Sequence, residues 1–183
     1  MTRNTLTRSM HDIGLAGWFG GTLANAIALN PAAAEADGQA ATGAVANAGW
    51  DRWTPVNGGA IVMHLIGATG QLLANRSRIN SQEGVGSMVV VKTGLTGVAL
   101  GATVYSRVLG KRVSENTRVP VQSGTSPSAA TPLAVAEAQK QLEVLQWAIP
   151  ALTGALIAVS AFAGEQQRPN ELRKGVMSLL TPG

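Results

Sequence analysis

Sorted into apolar and polar positions, the chain separates into four long stretches without charge and the polar segments that join them. The stretches are Ile13 to Ala34, Trp53 to Asn75, Gly84 to Ser106 and Val144 to Gly164, and together they hold one charged residue, Lys92. The 183 residues include 14 Lys+Arg and 10 Asp+Glu, so the emptiness of these stretches is a feature of the pattern and not of scarcity alone. Each stretch has the roughly 20 residues that a helix needs to cross a hydrocarbon layer of ~30 Å.

Four helices are predicted, with spans at about 10–29, 55–75, 85–109 and 144–164. The first stops at Asn30-Pro31, a helix-ending pair. The second starts with Thr54 as N-cap and Pro55 at the first helical position. The fourth is preceded by an amphipathic extension, Leu133 to Gln146, with Glu137, Lys140 and Glu143 at helical spacing and a kink expected near Pro150. Residues 113–131 read as a linker, flexible where VPVQSGTSPSAAT, Val119 to Thr131, is rich in Pro, Ser and Gly. Residues 165–183 form a basic tail with a candidate surface helix at Glu171 to Leu180. No internal repeat has a convincing period. The fold class is therefore all-α, a four-helix transmembrane bundle in a single integral membrane domain.

Two other readings fit less well. A soluble, alanine-rich bundle would explain the low aromatic content and the low mean hydropathy, but it should carry charges on its outer faces at a period near 3.6. A signal peptide with Arg3 and Arg8 before an apolar core and Ala32-Ala33-Ala34 at the cleavage site is the alternative for the first stretch. That core is long, glycine-rich and edged by Asp12.

Charge sets orientation. Arg3 and Arg8, then Arg76 and Arg78, then Arg168, Arg173 and Lys174 lie on one side, where both termini would be cytoplasmic. Arg52 stands among Glu35, Asp37 and Asp51 on the other. The third connection opposes this, with Arg107, Lys111, Arg112, Arg118 and Lys140. Trp50, Trp53, Tyr105 and Trp147 fall at one predicted edge, the outer one, as interfacial anchors do. The net charge of +4 suits anionic headgroups. No basic stripe with interleaved aromatics points to nucleic acid. Cysteine is absent, which excludes disulfides and thiolate metal sites.

Gly17 and Gly21, and Gly97 and Gly101, are small residues four apart that permit close helix packing, either inside the bundle or against a second copy. The ionisable residues at depth are His11, Asp12, His64 and Lys92, and such residues mark functional candidates. A haem held by His11 and His64 is disfavoured by depth. If helices one and two begin and end in the same planes, the two histidines are offset by ~15 Å along the bundle. Asp12, His64 and Lys92 form the candidate buried polar cluster, with an Asp12–Lys92 pair near the inner surface, suited to relaying protons or holding an anionic headgroup. The structural alternative has Lys92 snorkelling, Asp12 capping helix one, and His64 bonded to Asn25 or a backbone carbonyl. No catalytic set, metal-ligand spacing or phosphate loop is present, and no cofactor is expected.

The stretches HDIGLAGWFGGTLANAIALNPAA, WDRWTPVN and VKTGLTG resemble small four-span integral membrane proteins of high-GC, actinobacterial-type bacteria. The resemblance covers the chain to about Arg112 and brings no chemistry with it. The expected function is non-catalytic: a structural or accessory protein of the cytoplasmic membrane, in contact with lipids and packed against itself or a larger membrane complex. The alternative is a small transporter or proton- or lipid-handling protein that uses Asp12, His64 and Lys92. A redox subunit binding haem or quinone is the third reading.

Overall fold

The computed structural model describes residues 4–81, 85–115 and 119–166; the expected basic tail and its surface helix lie outside the described residues, apart from the last turn of α5. All elements among them are helical: α1 (Thr5–Ala24), a π-helical turn (Asn25–Leu29), α2 (Asn30–Ala33), α3 (Gln39–Ser81), α4 (Val85–Ser114) and α5 (Leu133–Gln166). Three helices are long and apolar enough to cross a membrane: Gln39–Arg76, Gly86–Ser114 and Leu133–Gly164. The shorter N-terminal helix α1 is not one of them.

α1 lies against α3 along most of its length and also leans on α5, while α4 and α5 form a second antiparallel pair. α3 and α4 touch much less. The buried positions of α1 are His11, Gly14, Leu15, Trp18 and Thr22, an i, i+3, i+4, i+7, i+11 stripe. Leu15 and Trp18 meet Ala99 of α4 and Ile149 and Leu156 of α5 in the main core. The Trp18 indole N–H donates to Thr103 Oγ1 at 3.1 Å, tying α1 to α4.

Several expected boundaries are corrected. Helix one does not stop at Asn30-Pro31. In a regular helix the Pro31 ring would collide with the carbonyl four residues back. The π turn lets the chain continue, with the Asn30 N–H reaching the Asn25 carbonyl five residues earlier. The second helix begins at Gln39, so Pro55 is interior and Thr54 is no N-cap. Thr54 Oγ1 instead donates to the Trp50 carbonyl at 2.8 Å, and the alanine-rich segment before it has high helix propensity. With 43 residues, α3 is ~65 Å long, about twice the hydrocarbon thickness. α4 continues to Ser114, past the expected end at 109. The extension before helix five is as expected, and it is continuous with the rest of α5.

The N-terminal end of α3, the C-terminal end of α4 and the N-terminal end of α5 build a small head. Leu109 and Val113 of α4 pack with Val135 and Ala138 of α5. The segment expected to be a flexible linker folds onto this head. Val121 N–H donates to the Gln39 carbonyl at 3.3 Å, Thr131 Oγ1 donates to the Pro120 carbonyl at 2.6 Å, and Val121 and Thr125 are buried. Its serines and threonines satisfy its own backbone, which composition alone does not reveal.

Candidate functional site

The site is set by the crossing of α1 and α3. A Cβ on Gly14 would lie 2.4 Å from the His64 backbone nitrogen and 2.5 Å from the Ala60 carbonyl. A Cβ on Gly67 would lie 2.2 Å from the His11 nitrogen and 2.6 Å from the Thr7 carbonyl. The two contacts mirror each other, because residue 11 stands to 64, 14 to 67 and 7 to 60 at one spacing of 53. The underlying sequences are HDIGLAG and HLIGATG, the same H-x-I-G-x-x-G pattern on antiparallel helices. Only glycine permits backbones this close. Each glycine therefore seats the histidine of the opposite helix.

The histidines are consequently neighbours, and the expected ~15 Å offset is wrong. Their ring centroids are 4.5 Å apart with planes tilted by 46°. The helix ends are not coplanar, because glycine contacts fix the register. A haem between them still fails, for a different reason. Axial ligands on opposite faces of one iron need ring centroids about 6 Å apart, given metal–nitrogen bonds of ~2 Å.

Both rings are almost wholly buried, His11 at 2% and His64 at 1% exposure. His11 Nδ1 donates to Asp12 Oδ1 at 2.8 Å. His64 Nδ1 donates to the His11 backbone carbonyl at 3.3 Å. Carboxylates and carbonyls only accept, so in the neutral rings each Nε2 is a bare acceptor. Neither Nε2 has a partner. The orienting bonds resemble those that prepare an imidazole to bind a ligand through its second nitrogen. Beside the pair, Trp18 lies 6.1 Å from His64 between ring centroids.

A cavity of about 380 Å³ between α1, α3 and α4 is lined by His11, His64, Gln71 and Lys92 among apolar residues such as Leu65, Leu72, Met88 and Leu100. A second, of about 360 Å³, shares His11, Gln71 and Lys92 with it and adds Arg8, Asp12 and Ser160. Gln71 Nε2 and Ser160 Oγ have no partner.

Asp12, His64 and Lys92 border one region, joined through His11, which lies beside His64 and not a distance along the bundle from it. Asp12 does not cap α1, which starts at Thr5, and it bonds His11, not Lys92. His64 takes the backbone-carbonyl partner. The motif shared by HDIGLAG and HLIGATG is the signal that would have paired the two histidines. Among the packing glycines, Gly17 faces Ala60 and Gly21 faces Trp53, whereas Gly97 and Gly101 meet nothing within 4 Å. Among the expected anchors, Tyr105 and Trp147 are exposed, and the Tyr105 hydroxyl bonds Gln141. Trp50 turns inward to donate to Asn30 Oδ1, and Trp53 covers Gly21. Among the described residues no cluster of three or more His, Cys, Asp or Glu is placed to hold a metal ion.

No protein-family model matches the chain, and no curated protein or solved structure does either.

Proposed function

We propose that the chain is a four-span protein of the cytoplasmic membrane, α1 supplying the fourth span, that works without bond-breaking chemistry of its own. The observation that supports this is an inverted distribution of side chains. Leu73, Val90 and Ile13 face outward at 66%, 70% and 63% exposure, while His11, His64, Asn30, Asn57 and Thr153 are buried. Water would favour the opposite arrangement. Both termini are assigned to the cytoplasm. Three of the basic residues that oppose this have local roles: Arg107 pairs with Asp51 at 3.1 Å, and Lys111 and Arg112 occupy the last turn of α4, where the helix dipole favours cations.

Within that frame two roles compete. A structural or accessory subunit is supported by the open face of α4 at Gly97 and Gly101. A ligand-, proton- or lipid-handling role is favoured by the paired histidines, which both line a cavity in the size range of small-molecule sites and whose Nε2 atoms are buried without partners. The second has the more specific support and is the reading adopted.

Single cysteines are diagnostic, since the chain has none of its own. Thr5→Cys and Glu35→Cys are expected to react with a membrane-impermeant maleimide from opposite sides of sealed vesicles. Reaction from the same side removes α1 as a span. For the role, His64→Ala with Lys92→Ala is expected to change bound small molecules seen by native mass spectrometry of the detergent-purified protein. An unchanged spectrum together with a stable co-purifying protein partner favours the accessory role.

A further inference from the structure

We propose that the cleft between α3 and α4 takes a membrane-dissolved hydroquinone, whose hydroxyl donates to the unpartnered Nε2 of His64. The inference rests on the ligand-handling reading above and names the ligand class.

The argument starts from what the buried nitrogens lack. Both Nδ1 atoms already donate, so both Nε2 atoms call for a donor. A buried acceptor without one is costly, more so in a low dielectric. An anion would meet the wrong sign of hydrogen bond there. A metal ion would find only two imidazoles, with no third acidic or imidazole ligand among the described residues. A hydroxyl fits. The same cavity also offers donors, the Gln71 Nε2 without a partner two turns along α3 from His64 and Lys92 on the facing helix α4. A ligand that gives a hydrogen bond at one end and accepts one at the other matches this polarity. A planar ring with oxygens at both ends does so while presenting apolar faces to Leu65, Leu72 and Leu100.

The source of the ligand follows from the helix arrangement. α3 and α4 are splayed, and their outward residues beside the cavity, Ile66, Leu73, Val90 and Val98, are apolar and exposed. Farther along α3 and α4 toward the head lies a further cavity of about 210 Å³, lined by Trp53, Asn57, Ile61 and Val104 and closed by α5 at Leu142 and Ile149. A ligand with an apolar tail enters sideways from the bilayer and lays that tail along the cleft. The oxidised quinone has only acceptors, so the site should discriminate against it.

The chain contains 2 histidines, so ¹⁵N-histidine labelling reports on this pair alone. The full chain in nanodiscs is titrated anaerobically with duroquinol and with duroquinone, reading the Nε2 resonances and binding heat. The expected result is two unprotonated Nε2 signals, of which that of His64 moves with duroquinol. Duroquinone should bind about tenfold or more weakly. His64→Phe should lose about tenfold or more in duroquinol affinity, and His64→Gln, which restores an acceptor, should stay within about threefold. Helix content and thermal stability identify variants that fail to fold, and Lys92→Met supplies a second variant from the opposite wall, expected to weaken duroquinol as well. Equal binding of both redox forms, or a protonated Nε2 on His64, overturns the proposal. If phosphatidylglycerol in the nanodisc moves the signals and duroquinol does not, the hydroquinone is wrong and the ligand-handling reading stands. If neither moves them and native mass spectrometry finds no bound small molecule, both fall.

Discussion

Asn30 and His64 are both fully buried polar side chains, and their surroundings treat them differently. Asn30 sits in the head, where its Nδ2 donates to Gln146 Oε1 at 2.8 Å and its Oδ1 accepts from Trp50 Nε1 at 3.0 Å. Each end of the carboxamide finds a partner on another helix, so the residue locks α2, α3 and α5 together. His64 sits at the crossing of α1 and α3 with one nitrogen bonded and the other without a partner. Closed networks hold structures in one arrangement, and open ones leave chemistry for something else to complete. The head has an open group of its own in Gln139, buried with neither amide atom paired, beside a cavity of about 420 Å³. That is a single side chain, without the paired, oriented acceptors of the crossing.

This contrast can be broken by mutation. The largest effect is expected at the crossing itself. Gly14→Ala or Gly67→Ala puts a Cβ into backbone that cannot turn aside, and thermal unfolding in detergent should show a loss of about 3 kcal/mol. A variant as stable as the parent would mean that the helices do not approach as described. Asn30→Ala comes next. It strands Trp50 Nε1 and Gln146 Oε1, with an expected cost of about 2 kcal/mol by the same measurement. If stability is unchanged, the head network is not holding the helices.

His64→Phe should behave in the opposite way to Asn30→Ala. It loses one hydrogen bond but also removes an unpartnered acceptor, so stability should move by about 1 kcal/mol or less while ligand binding suffers. A loss as large as that of Asn30→Ala would make the histidine structural and erase the distinction. Gly97→Ala and Gly101→Ala should be the mildest. Their Cβ atoms enter open space, and monomer stability should shift by no more than about 0.5 kcal/mol. If these changes instead dissociate a complex seen by size-exclusion chromatography, the open face of α4 is a subunit contact and the accessory role gains.

The helical class and three helices long and apolar enough to cross a membrane were legible because a long run without charge is a local property of the chain. The amphipathic start of α5 was legible for a similar reason, since three charges at helical spacing outline one face. The start of α3 was not: Thr54-Pro55 has the chemistry of a helix start, and only the helical, alanine-rich turns from Gln39 onward show that Pro55 is interior. The linker misled in the same way. Its composition is that of a flexible segment, yet its hydroxyls close bonds on their own backbone and on Gln39. At the site, Asp12, His64 and Lys92 could be singled out by depth alone, whereas the partnership of His11 depended on register.

What the sequence determined by itself is therefore the set of helices and the rarity of polar groups within them, because both follow from the environment that each short stretch prefers. Tertiary structure decided that α1 lies at the centre, that the connection before α5 folds, and that two histidines 53 residues apart touch. Those outcomes depend on how one helix is rotated and slid against another. That choice is made where backbones can meet, at Gly14 and Gly67, and no local preference specifies it.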